Sequence, residues 1–161
     1  MKSNKWIAAG LAGICAFAAT QAAAATDTQD IAVSATVQAS CVFGAATALP
    51  FGDVTVSDLI AGKSETTAAD VKITCANSGV AGKLYAAATR TMSNGATGSL
   101  SYEVYTDAGR TTALGSDATG GASVAADGTE QSIPLYAKIT AGQGAEPTGA
   151  YTANLALTVE F

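Results

Sequence analysis

Tyr151-Thr152-Ala153-Asn154-Leu155-Ala156-Leu157-Thr158-Val159-Glu160-Phe161 reads as a single β-strand. Tyr151, Ala153, Leu155, Leu157, Val159 and Phe161 share one face, and Thr152, Asn154, Ala156, Thr158 and Glu160 the other. That two-residue period belongs to a pleated strand with one buried side. The same alternation stands near the other end, where Ile31, Val33, Ala35, Val37, Ala39 and Cys41 oppose Ala32, Ser34, Thr36, Gln38 and Ser40. Between the two lie further strand-like runs: Cys41 through Phe51 to Val54 and Val56, Val71 to Cys75, Leu84-Tyr85 with its alanines, Leu100 to Tyr105, and Ile133 to Ile139. Turn residues fill the gaps, as at Asn77-Ser78-Gly79, Ser93-Asn94-Gly95, Asp107 to Gly109, Asp127-Gly128 and Pro147 to Gly149. No segment carries a convincing amphipathic helix, and no internal repeat is present. Regularly spaced short strands of this kind predict an antiparallel sandwich or barrel. Gly115 to Gly128, polar and built of small residues, is expected to be a long exposed loop.

A chain of 161 residues is enough for one domain. Its 48% hydrophobic content is largely alanine, so the core is expected to be modest and built from short side chains. Lys2 and Lys5, then the apolar run Trp6 to Ala19, then small residues from Ala22 to Ala25 make the three-part layout of a secretory leader. The expected organisation is a leader over 1–25, cut after Ala22, Ala24 or Ala25, an N-terminal strand segment over 26–40 and a sandwich body over 41–161. The apolar run is too short for a membrane anchor, and Cys15 leaves with the leader. Loss of Lys2 and Lys5 makes the exported chain two charges more negative than the full-length value of −5. An acidic protein without a basic cluster is a poor partner for nucleic acid.

Export leaves two cysteines, Cys41 and Cys75, which in an oxidising compartment read as a disulfide. The chain contains no histidine, which excludes a Ser-His-Asp triad and histidine-ligated metal. No glycine loop with a following Lys-Ser/Thr is present to cradle phosphate. Asp53, Asp58, Asp107, Asp117 and Asp127 match no calcium-loop spacing and are assigned to turns. Tyr102, Tyr105, Tyr136 and Tyr151 are assigned to packing, and the isolated cations to the solvated surface. The expectation is a non-enzymatic protein with no cofactor and no metal.

Two features bear on assembly. The last apolar-faced strand runs to Phe161, and the first is cleanly two-faced near the start of the exported chain. A sandwich ending in this way is expected to lack an edge strand, leaving an apolar groove that a neighbour's N-terminal strand has the pattern to fill.

Several blocks carry a resemblance: Cys41, Leu49-Pro50-Phe51-Gly52, Ile73-Thr74-Cys75, Leu100-Ser101-Tyr102-Glu103-Val104-Tyr105-Thr106-Asp107, Ile133-Pro134-Leu135-Tyr136-Ala137-Lys138-Ile139, and Pro147 to Tyr151 running into Leu157 to Phe161. Together they resemble the spore coat protein U domain, a family that includes the pilins of archaic, Csu-type chaperone–usher pili. One departure is Leu114-Gly115, where many members carry a tryptophan before the glycine. The resemblance implies an all-β, incomplete immunoglobulin-like sandwich of six strands, with the seventh supplied in trans by the N-terminal donor strand of a neighbouring subunit. Carried onto this chain, the donor residues are Ile31, Val33, Ala35 and Val37. The acceptor groove is Leu155, Leu157, Val159 and Phe161. The disulfide Cys41–Cys75 ties the first two strands of the body. The implied partners are identical subunits in a homopolymer, a periplasmic chaperone, an outer-membrane usher and, at the fibre's end, room for a tip adhesin. The implied location is the cell surface, reached through the periplasm, where the fibre supports adhesion and biofilm formation. A monomeric extracellular binding module, or a coat component with a complete sandwich, is the competing reading.

Overall fold

A computed structural model describes residues 27–76, 79–86, 88–95 and 97–161. The leader expected over 1–25 lies outside the described residues. The chain divides into two units, residues 1–35 and 36–161. The described part of the first unit, residues 27–35, forms neither helix nor strand.

The second unit is an all-β sandwich of two antiparallel sheets. Its elements are β1 (Cys41–Ala46), α1 (Val56–Ala61), β2 (Ala69–Cys75), β3 (Gly82–Ala86), β4 (Thr91–Ser93), β5 (Ser99–Tyr105), β6 (Ala122–Val124), β7 (Glu130–Ile139) and β8 (Leu157–Glu160). One sheet has the order β1-β2-β7-β5-β4 and the other β6-β3-β8. The inward-facing alternate residues of both sheets, among them Val71, Ile73, Leu84, Val104, Leu135, Ala137 and Ile139, are almost wholly buried. Burying each larger aliphatic side chain contributes about 1.5–3 kcal/mol.

The alternating runs expected at 71–75, 84–85, 100–105 and 133–139 are strands. Elsewhere the structure differs from expectation. The first run enters a strand only at Cys41: beyond the Ser40 carbonyl, which accepts the Ala76 N–H, residues 27–39 join no described ladder, and a strand exists only through its pairing. The region from Cys41 to Val56 is not one strand: β1 stops at Ala46 and Val56 opens the short helix α1. That helix has a capping box, in which Thr55 Oγ1 accepts from the Asp58 N–H at 3.2 Å and Asp58 Oδ2 accepts from the Thr55 N–H at 2.9 Å. The final run is also broken. Thr152 bridges Ser93 of β4, and only from Leu157 does the chain join β3 in the opposite sheet. The stretch from Gly115 to Gly128 is not merely exposed loop, since it contains β6, whose Val124 is fully buried. Gly115 and Gly120 make this possible, because a Cβ on Gly115 would meet the Gly120 backbone at 2.3 Å.

Two arginines, Arg90 buried and Arg110 half-buried, bind the loops. Arg90 is nearly buried, pairs with Glu103, and donates to the Leu114 and Gly115 carbonyls at 2.6 and 3.2 Å. Glu65, only 3% exposed at its side chain, receives Arg110 Nε and Nη2 at 3.1 and 2.5 Å and the Ala137 N–H at 2.9 Å. Together these contacts fasten the segment after α1 to β7.

Of the aspartates expected in turns, Asp107, Asp117 and Asp127 occupy them, whereas Asp58 lies in α1 and closes its capping box. Asp107 accepts from the N–H groups of Thr111 and Thr112, Asp127 from Thr129, and Asp117 from Gly120. The Thr112 and then the Thr111 N–H groups hold the Asp107 carboxyl below its ordinary value of 3.8. A carboxylate whose folded pKa is depressed stabilises the fold above its unfolded pKa, and that stability is lost as pH falls through the folded value. Asp58, Asp70 and Asp127 are shifted in the same direction. Denaturant midpoints are therefore expected to hold steady from neutrality down to about pH 5 and to fall below about pH 4. Asp107→Asn should be less stable than wild type at neutral pH and should lose less on acidification. An acid-induced loss as large in the variant as in wild type would remove Asp107 from this account.

Candidate functional site

A cleft of about 1050 Å³ runs into the sandwich. One wall is the chain after β1, from Ala46 to Val54, with Val56 and Leu59 of α1. The other is the segment from Glu146 to Leu157. Its floor is the core itself: Val71, Met92, Leu100, Tyr102, Leu135 and Ile139. Phe51 meets Tyr102 edge-on, with ring centroids 6.2 Å apart. Burial pushes the Tyr102 hydroxyl up, with the Arg90 charge opposing.

The lining chemistry is apolar. Its two carboxylate residues are Asp53 and Glu146, and Glu146 Oε2 already accepts the Ser99 N–H at 2.8 Å. Sites for small polar substrates set a few convergent polar groups in an apolar cavity, and the side chains of this floor supply one hydroxyl, that of Tyr102. Among the described residues no group of three His, Cys, Asp or Glu side chains comes together. No helix there is long and apolar enough to cross a membrane.

The cleft borders an unpaired sheet edge. β8 pairs on one side with β3, through Lys83↔Glu160, Leu84↔Val159, Tyr85↔Thr158 and Ala86↔Leu157. No described strand pairs with its other side. An unpaired row of N–H and C=O groups beside an apolar trough is a template for an added strand.

Of the four acceptor residues expected from the sequence, Leu155 and Leu157 are half-buried and line the cleft. Val159 is half-buried opposite fully buried Leu84, at the end of the sandwich where Cys41 approaches Gly82. Phe161 lies past β8 and is 54% exposed. The larger part of the lining, from Leu49-Pro50-Phe51 to Met92 and Tyr151, was not assigned to the groove. The signal available for it was the Leu-Pro-Phe-Gly block, which sits in the wall after β1. Tyr151 donates to the Pro147 carbonyl at 2.7 Å and approaches Gly98 so closely that a Cβ there would stand 2.1 Å from its hydroxyl. Of the four donor residues, Ile31, Val33 and Val37 are 83%, 91% and 87% exposed, and Ala35 is exposed as well.

Cys41 and Cys75 are bonded, with Cα atoms 4.0 Å apart, and stand opposite each other in the β1–β2 ladder. The bond anchors β1, an edge strand that pairs among the described strands with β2 alone.

Comparison with curated proteins finds no match. A family model does match, the Spore Coat Protein U domain, over residues 27–158. The match takes in every strand of both sheets apart from the last residues of β8. On this match the chain belongs to the Spore Coat Protein U domain family, of coat- and pilus-type structural surface subunits.

Proposed function

We propose that the chain is the repeating subunit of a chaperone–usher pilus and polymerises by donor-strand exchange. Residues 26–40 of one subunit lie along the free edge of β8 in the next, and Ile31, Val33, Ala35 and Val37 point into the cleft. Leu155 and Leu157 receive them on the β8 side, with Val159 and Phe161 continuing the acceptor edge. Before assembly a periplasmic chaperone covers the same cleft, and an outer-membrane usher is where the exchange takes place. The finished homopolymer supports surface adhesion and biofilm formation, with a tip adhesin as its terminal partner.

The observation that carries this reading is the cleft itself. Core residues form its floor beside an unpaired strand edge, while an alternating apolar segment elsewhere in the chain is exposed. Backbone ladder bonds would give register, and alternate side chains entering the trough would give specificity.

The test is surface material run unboiled and boiled on a denaturing gel. Strand-exchanged subunits separate only when the sandwich unfolds, so a ladder is expected that collapses to one band on boiling. A single subunit band in both lanes, from folded protein, would favour a self-sufficient binding module or coat component.

A further inference from the structure

We propose that Pro134 guards a second open edge of this sandwich, the stretch of β7 beyond the end of β5, against strand addition. This concerns a different edge from the one in the donor-strand reading and stands without it.

β7 pairs with β2 through residues 130–135 and with β5 through residues 136–139 only. β5 ends at Tyr105, opposite Tyr136. On the side away from β2, no described strand therefore pairs with residues 130–135.

The direction of the backbone groups along that stretch follows from the hydrogen bonds on either side. The Thr47 N–H donates to the Asp70 carbonyl at 3.1 Å, the Asp70 N–H to Thr47 Oγ1 at 2.7 Å, and the Ala76 N–H to the Ser40 carbonyl at 2.7 Å. Even-numbered residues of β2 thus turn their backbone groups toward β1. Asp70 faces Pro134, Lys72 faces Ser132 and Thr74 faces Glu130, so these are the non-hydrogen-bonded pairs of the β2–β7 ladder. The N–H and C=O groups of Glu130, Ser132 and Pro134 accordingly point away from β2, to the open side. Bonds further along β7 agree. The Ile139 N–H donates to the Lys63 carbonyl on the β2 side, and the Thr140 N–H to the Ser101 carbonyl on the β5 side.

A proline within a sheet ordinarily forfeits a ladder bond. At position 134 it forfeits none, because the missing N–H would have faced the open edge. What it removes is a donor at the first position past the end of β5, where an incoming strand continuing the β5 ladder would need one. Proline at an edge is a known device against unwanted strand pairing. A subunit meant to accept a strand at one place gains specificity from each other open stretch that is closed to pairing.

The test substitutes Pro134→Thr in the full chain. Threonine favours strands and restores the donor. Electron micrographs should show fibres bundled side by side where wild-type fibres are separate. If the chain proves to be monomeric, so that the donor-strand reading fails, the same substitution should move its sedimentation from one subunit to two or more. Adding Ser132→Pro, whose N–H also faces the open side, should reverse either effect. Fibres or subunits that behave as wild type would overturn the proposal. If P134T does not fold, amide exchange in the wild-type chain decides. Fast exchange at Ser132 beside slow exchange at Gln131, Ile133 and Leu135 upholds the open, guarded edge, and protection of Ser132 equal to theirs overturns it.

Discussion

Deleting residues 26–39 is expected to abolish the boiling-sensitive ladder and leave a folded, disulfide-bonded single subunit. Ile31, Val33, Ala35 and Val37 all lie in that segment, and none takes part in a strand or the core. Their removal therefore costs the sandwich of residues 36–161 little. The fibre loses much more. Seating Ile31, Val33 and Val37 in an apolar trough stabilises the junction by about 5–8 kcal/mol before ordering costs. The ladder bonds along β8 add register. Val33→Asp should act nearly as strongly as the deletion, because a carboxylate in a floor of Leu100, Leu135 and Ile139 finds no counter-charge and costs several kcal/mol. Val33→Ile should assemble. Circular dichroism and free-thiol assay would check folding, and the unboiled gel would check assembly. A ladder that persists in the deletion would end the donor-strand reading. Loss of the ladder with loss of folding would instead make the segment part of the subunit's own fold.

Removing the disulfide, as Cys41→Ala with Cys75→Ala, is expected to cost roughly 3.5–4 kcal/mol from loop closure alone. The bond closes a loop between residues separated by 34 positions, so the unfolded chain gains freedom without it. A native-state effect adds to this. Among the described strands β1 pairs with β2 alone, its pairing shifts register between Phe43 and Ala46, and Val42 and Phe43 are 65% and 41% exposed. Untied, β1 should fray, and it leads directly into the wall from Ala46 to Val54 that frames the cleft. The loss should appear as a drop of about 10 °C or more in melting temperature. Assembly should also weaken by more than the stability loss explains, because the cleft loses its wall. A double variant within about 1 kcal/mol of wild type would show that neither the unfolded chain nor β1 depends on the bond.

Much of the architecture was legible because strand periodicity is a local signal. Val71 to Cys75, Leu100 to Tyr105 and Ile133 to Ile139 alternate over enough residues to declare one buried face, and each is a strand. Elements with too few residues to show a period escaped. β4 and β6 have three residues each, and Val124 is a single buried apolar residue in a stretch of small polar ones. The helix α1 carried a capping signal in Thr55 and Asp58, but its six residues are too few for a visible helical period. The candidate site was legible in part. Leu155 and Leu157, which the family resemblance placed in the groove, line the cleft, whereas Phe51, Met92 and Tyr102 line it through contacts between distant segments, which no local pattern encodes.

Sequence alone therefore determined the all-β class, the cysteine pair and the two alternating segments, because each rests on residue type and spacing along the chain. Tertiary structure decided where the final run leaves one sheet for the other, which of its residues line a cleft, and that Pro134 faces an open edge. These depend on which strands become neighbours, and that pairing is set by the packing of the whole sandwich rather than by the residues of any one strand.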